Sequence, residues 1–191
     1  GNASGNVDYT QRDTRKRTNS ALFTGQVSYR DWLYLNLTAR NDWSSTLPKK
    51  NNSFFYPSAS LSWVFSDFMR SIDHKLPSWI TFAKLRVSAA QVGKDPAPYN
   101  LYNVRKYQFE MGNRKPINNT IKLNANLKPE IKTSYEVGVD MKFLDNRLGF
   151  DFTYYYNTTK NQAMLVDASS PWTQQWVNAG KINNTGVEFM L

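Results

Sequence analysis

Residues 143–156, FLDNRLGFDFTYYY, constrain most tightly what this chain can fold into. Leu148, Phe150, Phe152, Tyr154 and Tyr156 recur at every second position, with Gly149, Asp151 and Thr153 between them. A period of two sends successive side chains to opposite faces, so the stretch is a strand with one apolar and one polar side. A turn, Leu144-Asp145-Asn146-Arg147, precedes it. Before the turn Tyr135, Val137, Val139, Met141 and Phe143 alternate with Ser134, Glu136, Gly138, Asp140 and Lys142. The two segments read as a hairpin of long, two-faced strands. One face is Tyr, Phe, Val and Met over about 10 residues while the other carries Asp, Glu and Lys, the pattern of a lipid-facing wall with a wet interior.

The alternation repeats along the chain. After a polar lead-in over residues 1 to 19, a strand is expected at Ser20–Tyr29, with Ala21, Phe23, Val27 and Tyr29 on its apolar side. The tight turn Arg30-Asp31 leads to a second strand, Trp32–Trp43, where Leu33, Leu35, Leu37 and Ala39 oppose Tyr34, Asn36, Thr38 and Arg40. A third follows the polar loop 44–53, with Phe55, Ala59, Leu61 and Trp63 against Tyr56, Ser58, Ser60 and Ser62. Residues 66–78 instead space Phe68, Met69, Ile72 and Leu76 nearer helical intervals, which predicts a short helical connector with Ser66 or Asp67 as its N-cap. A strand at Trp79–Gln91 then precedes a connection of about 40 residues, far longer than compact soluble domains use. In the last strand Val177 and Ala179 hold one phase, Ile182 the other, and Val187, Phe189 and Leu191 the first again, so a bulge is expected near Asn183-Asn184.

Composition removes several alternatives. No run approaches the ~18 apolar residues of a membrane helix. With no Cys there is neither a disulfide framework nor a thiolate metal site, and His74, the single His, excludes multi-His metal sites and His-based triads. Glu136 and Asp140 share a strand face about 13 Å apart, too far for glycosidase chemistry. The charge of +9 is scattered instead of forming a stripe, so nucleic acid is not expected as a partner. Asn-x-Ser/Thr triplets at Asn2, Asn36, Asn51, Asn118, Asn157 and Asn183 read as chance products of Asn-rich loops, not glycosylation sites. No catalytic residue, cofactor or metal site is expected. The opening GNASGNVDYT lacks the basic and apolar regions of a signal peptide, so the chain reads as a mature or internal piece.

A soluble sandwich also alternates. Two features favour the membrane. The expected strands run to about 10 residues or more, the length a tilted span requires, against 5 or 6 in ordinary sheets. Aromatics also gather near strand ends, at Tyr29, Trp32, Trp43, Phe55, Trp63, Trp79, Phe143 and Tyr156, where an interfacial girdle lies. The fold class is therefore all-β, an antiparallel transmembrane β-barrel segment of about seven strands, and an odd count cannot close alone. The competing reading is a soluble all-β extracellular carbohydrate-binding or adhesion module.

Six segments resemble the barrel of SusC/RagA-type TonB-dependent outer-membrane transporters: LYLNLTARNDWSS (33–45), FFYPSASLSW (54–63), LRVSAAQVGK (85–94), LKPEIKTSYEVGVD (127–140), NRLGFDFTYY (146–155) and NAGKINNTGVE (178–188). The resemblance implies that residues 1–191 are part of a barrel of about 22 strands, with the plug domain and the remaining strands elsewhere. It further implies a place in the bacterial outer membrane, contact with its lipid, import of oligosaccharides or peptides, a SusD-like surface lipoprotein as lid, and energy from the TonB complex. The candidate ligand contacts are Tyr34, Asn36, Arg40 and Arg86 on the interior face and Tyr99, Tyr102, Tyr107 and Phe109 in the long loop. Their plainer reading is lumen lining and loop self-packing.

Overall fold

A computed structural model describes residues 13–102, 106–110, 113–117 and 119–191. The lead-in through residue 12 and the Asn118 triplet lie outside these residues. The elements run β1 (Thr18–Tyr29), β2 (Leu33–Ser44), β3 (Ser53–Val64), α1 (Phe65–Ser71), β4 (Ile80–Lys94), β5 (Lys106–Glu110), β6 (Asn113–Ile117), β7 (Ile121–Lys122), β8 (Glu130–Phe143), β9 (Leu148–Lys160), β10 (Ala163–Asp167), β11 (Gln174–Asn178) and β12 (Lys181–Met190). Seven of these strands form one antiparallel sheet in the order β1-β2-β3-β4-β8-β9-β12. Within it strand length runs from 10 to 15 residues, beyond the usual globular strand and sufficient for a tilted span.

The turns are chemically suited to long hairpins. Arg30 and Asp31 have φ of 47° and 57°, and Leu144, Asp145 and Asn146 have φ of 51°, 57° and 66°. Asp and Asn tolerate the left-handed region better than other non-glycine residues, and turns of this hand match the twist of paired strands. Both hairpin turns and the α1 link lie on one rim. The other rim carries residues 44–53, 94–130 and 160–181, including the β5–β6 hairpin and the small β10-β11-β7 sheet. Under this sheet Asn178 clamps the loops: its side-chain amide donates to the carbonyls of Lys128 (2.9 Å) and Asn161 (2.8 Å), and its oxygen accepts from Lys128 N (2.8 Å).

Register sets the outer face. Phe23, Ala39 and Pro57 fall in one row. Leu61, Val87, Val137, Tyr154 and Val187 fall in another, and Leu85, Val139, Phe152 and Phe189 in the next. Most of these side chains are exposed, with Phe23 at 64%, Val187 at 64% and Phe189 at 65%, and Ala39, Leu85 and Val139 are half-buried between neighbours. An apolar surface spanning a whole sheet face has no counterpart on soluble monomers. From Phe143 to Tyr135 the band covers about 26 Å of strand, close to the ~25 Å apolar belt of outer-membrane barrels. At the short-turn rim it ends in aromatic rings: Trp79, Phe143, Phe150 and Phe189 stack in series at 5.6, 6.0 and 6.1 Å between centroids. At the loop rim Tyr135 faces Tyr156, and beyond them the outer face turns polar with Thr133, Thr158 and Asn183.

Two expectations are corrected. β12 pairs with β9 without a break from Lys181 to Met190, so no bulge lies at Asn183-Asn184. Ile182 simply belongs to the inner face near the loop rim, where alternation relaxes because the wall has left the hydrocarbon. The irregularity sits instead in β4, between Ile80 and Phe82. Helix α1 forms where its spacing predicts, but neither Ser66 nor Asp67 caps it: the N-cap position is Val64, with no side-chain cap bond. Asp67 pairs with Arg70 at 2.8 Å.

A lysine placed on either face distinguishes the two environments. In vesicle-inserted protein, Val87→Lys is expected to lower the unfolding free energy by about 2 to 4 kcal/mol, and Ser88→Lys, one residue along but facing inward, by less than about 1 kcal/mol, both read from urea titration.

Candidate lumenal binding surface

The inner face is built in rows by the same register. Gln26, Asn36, Ser60, Ser88, Glu136, Tyr155 and Gly186 form one row, and Ser28, Tyr34, Ser62, Arg86, Gly138, Thr153 and Glu188 the next. Hydroxyls and amides dominate the β1–β4 half, whereas charge concentrates on β4, β8 and β9. This is a largely polar surface, interrupted by Leu22, Phe82, Ala90, Gly138 and Gly186 on the same phase.

Its most specific feature depends on a glycine. Arg86 stands opposite Gly138. Because Gly138 has no side chain, the guanidinium crosses over β8 to Asp151 on β9, with Nη2 donating to Oδ2 at 2.6 Å and Oδ1 at 2.7 Å. A Cβ at Gly138 would lie 3.0 Å from Nη2 and 3.1 Å from Nε, tighter than side chains normally pack. Asp151 in turn faces Asp140 directly. Two carboxylates opposite each other repel, and cations on β4 offset that repulsion: Lys84 approaches Asp140 at 3.7 Å while Arg86 holds Asp151. Gly186 repeats the device, since the Tyr155 ring occupies the space its side chain would fill.

The interior candidates do not form one site. Tyr34 and Arg86 flank Ser62 in one row, with Asn36 one row away. Arg40 pairs with Tyr56, six residues from Ser62 along β3 and so about 20 Å distant. Each has a partner within the wall. The Tyr34 hydroxyl donates to Asp31 O at 2.8 Å, and Asn36 Nδ2 donates to Ser60 Oγ at 3.4 Å. Arg40 Nε donates to Asp42 at 2.8 Å and Nη2 to Ser20 Oγ at 3.2 Å, with the guanidinium 5.7 Å from the centre of the Tyr56 ring. The Tyr56 hydroxyl also donates to Asp42. All four therefore carry a hydrogen bond to a neighbour within the chain.

The loop candidates differ. Tyr102 is 65% exposed and Tyr107 is exposed, while the Tyr99 hydroxyl accepts from Arg15 N at 3.0 Å and its ring stays open to solvent. The side chain of Phe109 lies outside the described residues. Nearby, Asp95 ties the polar lead-in to the wall: it accepts from Lys16 Nζ at 2.7 Å, from Thr46 Oγ1 at 2.9 Å and from Ser44 Oγ. Burial works to raise its carboxyl, but the Lys16, Ser44 and Thr46 hydrogen bonds outweigh burial and hold it below the ordinary carboxylate range. Asp95 and the Gly138 gap carry no local sequence signal because their partners come from segments about 50 to 79 residues away. The glycine in SYEVGVD was visible, but nothing in the chain marked Arg86 as its neighbour. Among the described residues no group of His, Asp and Glu could hold a metal ion.

The whole chain, residues 1–191, matches the family model described as TonB dependent receptor-like, beta-barrel. It is 28% identical over 164 residues to TonB-dependent receptor P3 of Formosa agariphila and 27% identical over 167 residues to TonB-dependent receptor SusC of Bacteroides thetaiotaomicron. Each alignment covers 81% of this chain and 16% of the relative, so the chain spans about a sixth of those proteins. The fold superposes on the RagAB peptide importer in its closed-closed state with a TM-score of 0.80 at 22% identity, over 90% of this chain and 19% of that one. A siderophore receptor, PirA of Pseudomonas aeruginosa, matches with a TM-score of 0.60 at 18% identity, over 91% of this chain and 30% of the other. The resemblance to SusC/RagA-type barrels is thus met both by a relative of that name and by the wall's geometry.

Two measurements test the electrostatics. In a double-mutant cycle Arg86→Ala and Asp151→Ala are expected to couple by about 1 kcal/mol, a modest value because both groups are part-exposed to a wet lumen. A depressed folded-state carboxyl stabilises above its unfolded value and loses that contribution as pH falls through the folded value. Amide protection factors over residues 13–17, taken relative to the intrinsic exchange rate at each pH, are therefore expected to fall as pH drops below about 4, and Asp95→Asn to show that loss of protection already at neutral pH.

Proposed function

The chain belongs to the TonB dependent receptor-like β-barrel family, and we propose that it forms wall and outer loops of a SusC/RagA-type importer of oligosaccharides or peptides in the bacterial outer membrane. The observation that carries this is the single seven-stranded sheet whose outer face is apolar across its width and whose loops are long on one rim only. Residues 1–191 then make up one part of a barrel domain whose plug and remaining strands lie outside them.

In this reading the two rims do different work. Short turns face the periplasm and long loops the exterior. The exterior rim carries Tyr99, Tyr102 and Tyr107, whose exposed ring faces suit sugar rings and peptide side chains alike. A SusD-like lipoprotein covers that rim, and the TonB complex acts from the opposite side. Below the loops, Ser, Thr and Asn rows line the route. Arg40 and Arg86 are already paired with Asp42 and Asp151, so a passing solute meets hydrogen-bonding surface whose exposed charges on these rows are the acids Glu136 and Glu188. The Asp95 strap holds the loop mouth in place.

Uptake decides the matter. Cells lacking the encoding gene are expected to take up a mixed pool of fluorescent oligopeptides and oligosaccharides no faster than cells lacking TonB, and complementation with Tyr99, Tyr102 and Tyr107 all changed to Ala to restore only part of the rate. Unchanged uptake of both solute classes in the deletion strain overturns the assignment.

A further inference from the structure

The link between β3 and β4 is longer than a turn requires, and it does not hang free at the periplasmic rim. Helix α1 folds against the outer face of the wall: the Phe68 ring lies 4.9 Å from Trp32 and 5.5 Å from Trp63, and the Phe65 ring 5.3 Å from Trp63. That places it level with the aromatic girdle, where lipid headgroups meet hydrocarbon. Between α1 and the start of β4 opens a cavity of about 330 Å³ with Ser66, Arg70, Lys75, Ser78 and Thr81 on its walls.

The polar groups of this cavity are poorly matched by the protein itself. Ser66 is 2% exposed, yet its hydroxyl has no hydrogen-bond partner, a costly state for a buried donor. It is also not needed as a cap, since the cap position is Val64. Arg70 gives one of its five donors to Asp67 and has the rest free of that pair, while no acid pairs with Lys75 among the described residues. Asp67 and Asp73 lie on the link itself, and Asp145 lies beside the cavity wall, where its backbone N donates to Thr81 Oγ1 at 3.0 Å. On the same outer face lies an apolar groove of about 240 Å³ lined by Trp32, Leu33, Leu61, Trp63, Leu85 and Val87. Two cations and an unsatisfied hydroxyl at headgroup depth, with an apolar groove on the same outer face, match one ligand chemistry: a phosphate bearing an acyl chain.

We propose that α1 and the start of β4 bind the phosphate headgroup of an anionic phospholipid of the periplasmic leaflet, held by Arg70, Lys75 and Ser66, with an acyl chain against the groove at Leu61, Trp63 and Val87. The site rests on the outer-membrane reading above and adds a specific lipid contact to it. The lipid anchors the wall where the loose link would otherwise leave the girdle incomplete, and the helix turns an extended connection into a fixed interfacial foot.

The test uses the full-length protein in detergent, titrated with dioleoyl phosphatidylglycerol and followed by native mass spectrometry. The wild type is expected to retain one lipid. Arg70→Ala with Lys75→Ala is expected to weaken retention by at least tenfold, from roughly fivefold per cation at an anionic headgroup. Ser66→Ala, a substitution that removes only the unpartnered hydroxyl, is expected to weaken it by a smaller factor. Phosphatidylglycerol retention equal to wild type in the Arg70/Lys75 variant, or displacement of the lipid by equimolar inorganic phosphate, overturns the site. Heat-dependent mobility on semi-native gels separates the two levels. A protein that shifts on heating but binds lipid without regard to these residues defeats this site alone, and one that shows no shift defeats the barrel reading with it.

Discussion

Hydrocarbon offers no partner to a backbone N–H or C=O, and that constraint underlies everything else in this wall. Each strand must find its donors and acceptors in a neighbour, so the ladders run nearly without interruption from β1 to β12. Continuous ladders fix register, and register with a period of two fixes faces. Val87 faces lipid because it pairs with Leu61 and Val137, and the same pairing puts Ser88 and Arg86 in water. A slip of one residue in any pair would bury Lys84, Arg86 or Asp151 in lipid, so the outer apolar rows lock the inner ones.

The inner face follows from what the outer one permits. With charge confined to one side, cations and acids meet at close range, and the wall resolves them within itself. The facing acids Asp140 and Asp151 each take one cation from β4, Lys84 and Arg86, and the gap at Gly138 lets the second pair close across an intervening strand. Side-chain absence here has a positive role: it is the missing Cβ that gives Arg86 its reach. The outcome is a polar inner face on which Lys84, Arg86 and Arg40 are each paired with an acid of the wall itself.

The two rims differ for physical reasons as well. Tight turns of left-handed Asp and Asn need little more than a pair of residues, and aromatic rings finish that edge against the headgroups. The loop rim has no such boundary. It builds its own small core around Leu47, Phe54 and Leu127 and its own sheet of β10, β11 and β7, and it is tied together by Asn178 and Asp95.

Much of this was legible in the chain itself. Period-two alternation over 10 or more residues dictated long two-faced strands, the absence of charge from one phase dictated which face could meet lipid, and the Asp/Asn turns dictated hairpins. Those signals are local, which is why they survive in a bare sequence. Pairings between distant segments are not local. Arg40 and Arg86 carry the same charge on the same inner phase, so only folding shows that one bonds Asp42 two residues on and the other Asp151 across two strands. Ile182 looked like a phase break because hydropathy marks faces only inside the hydrocarbon. Ser66 had the chemistry of a cap, but the helix begins one residue earlier, and the tertiary fold turned that hydroxyl into a buried, unpartnered group. Sequence determined the faces, through a period that each strand carries by itself. Structure decided the partners, since those depend on register between strands that lie far apart in the chain.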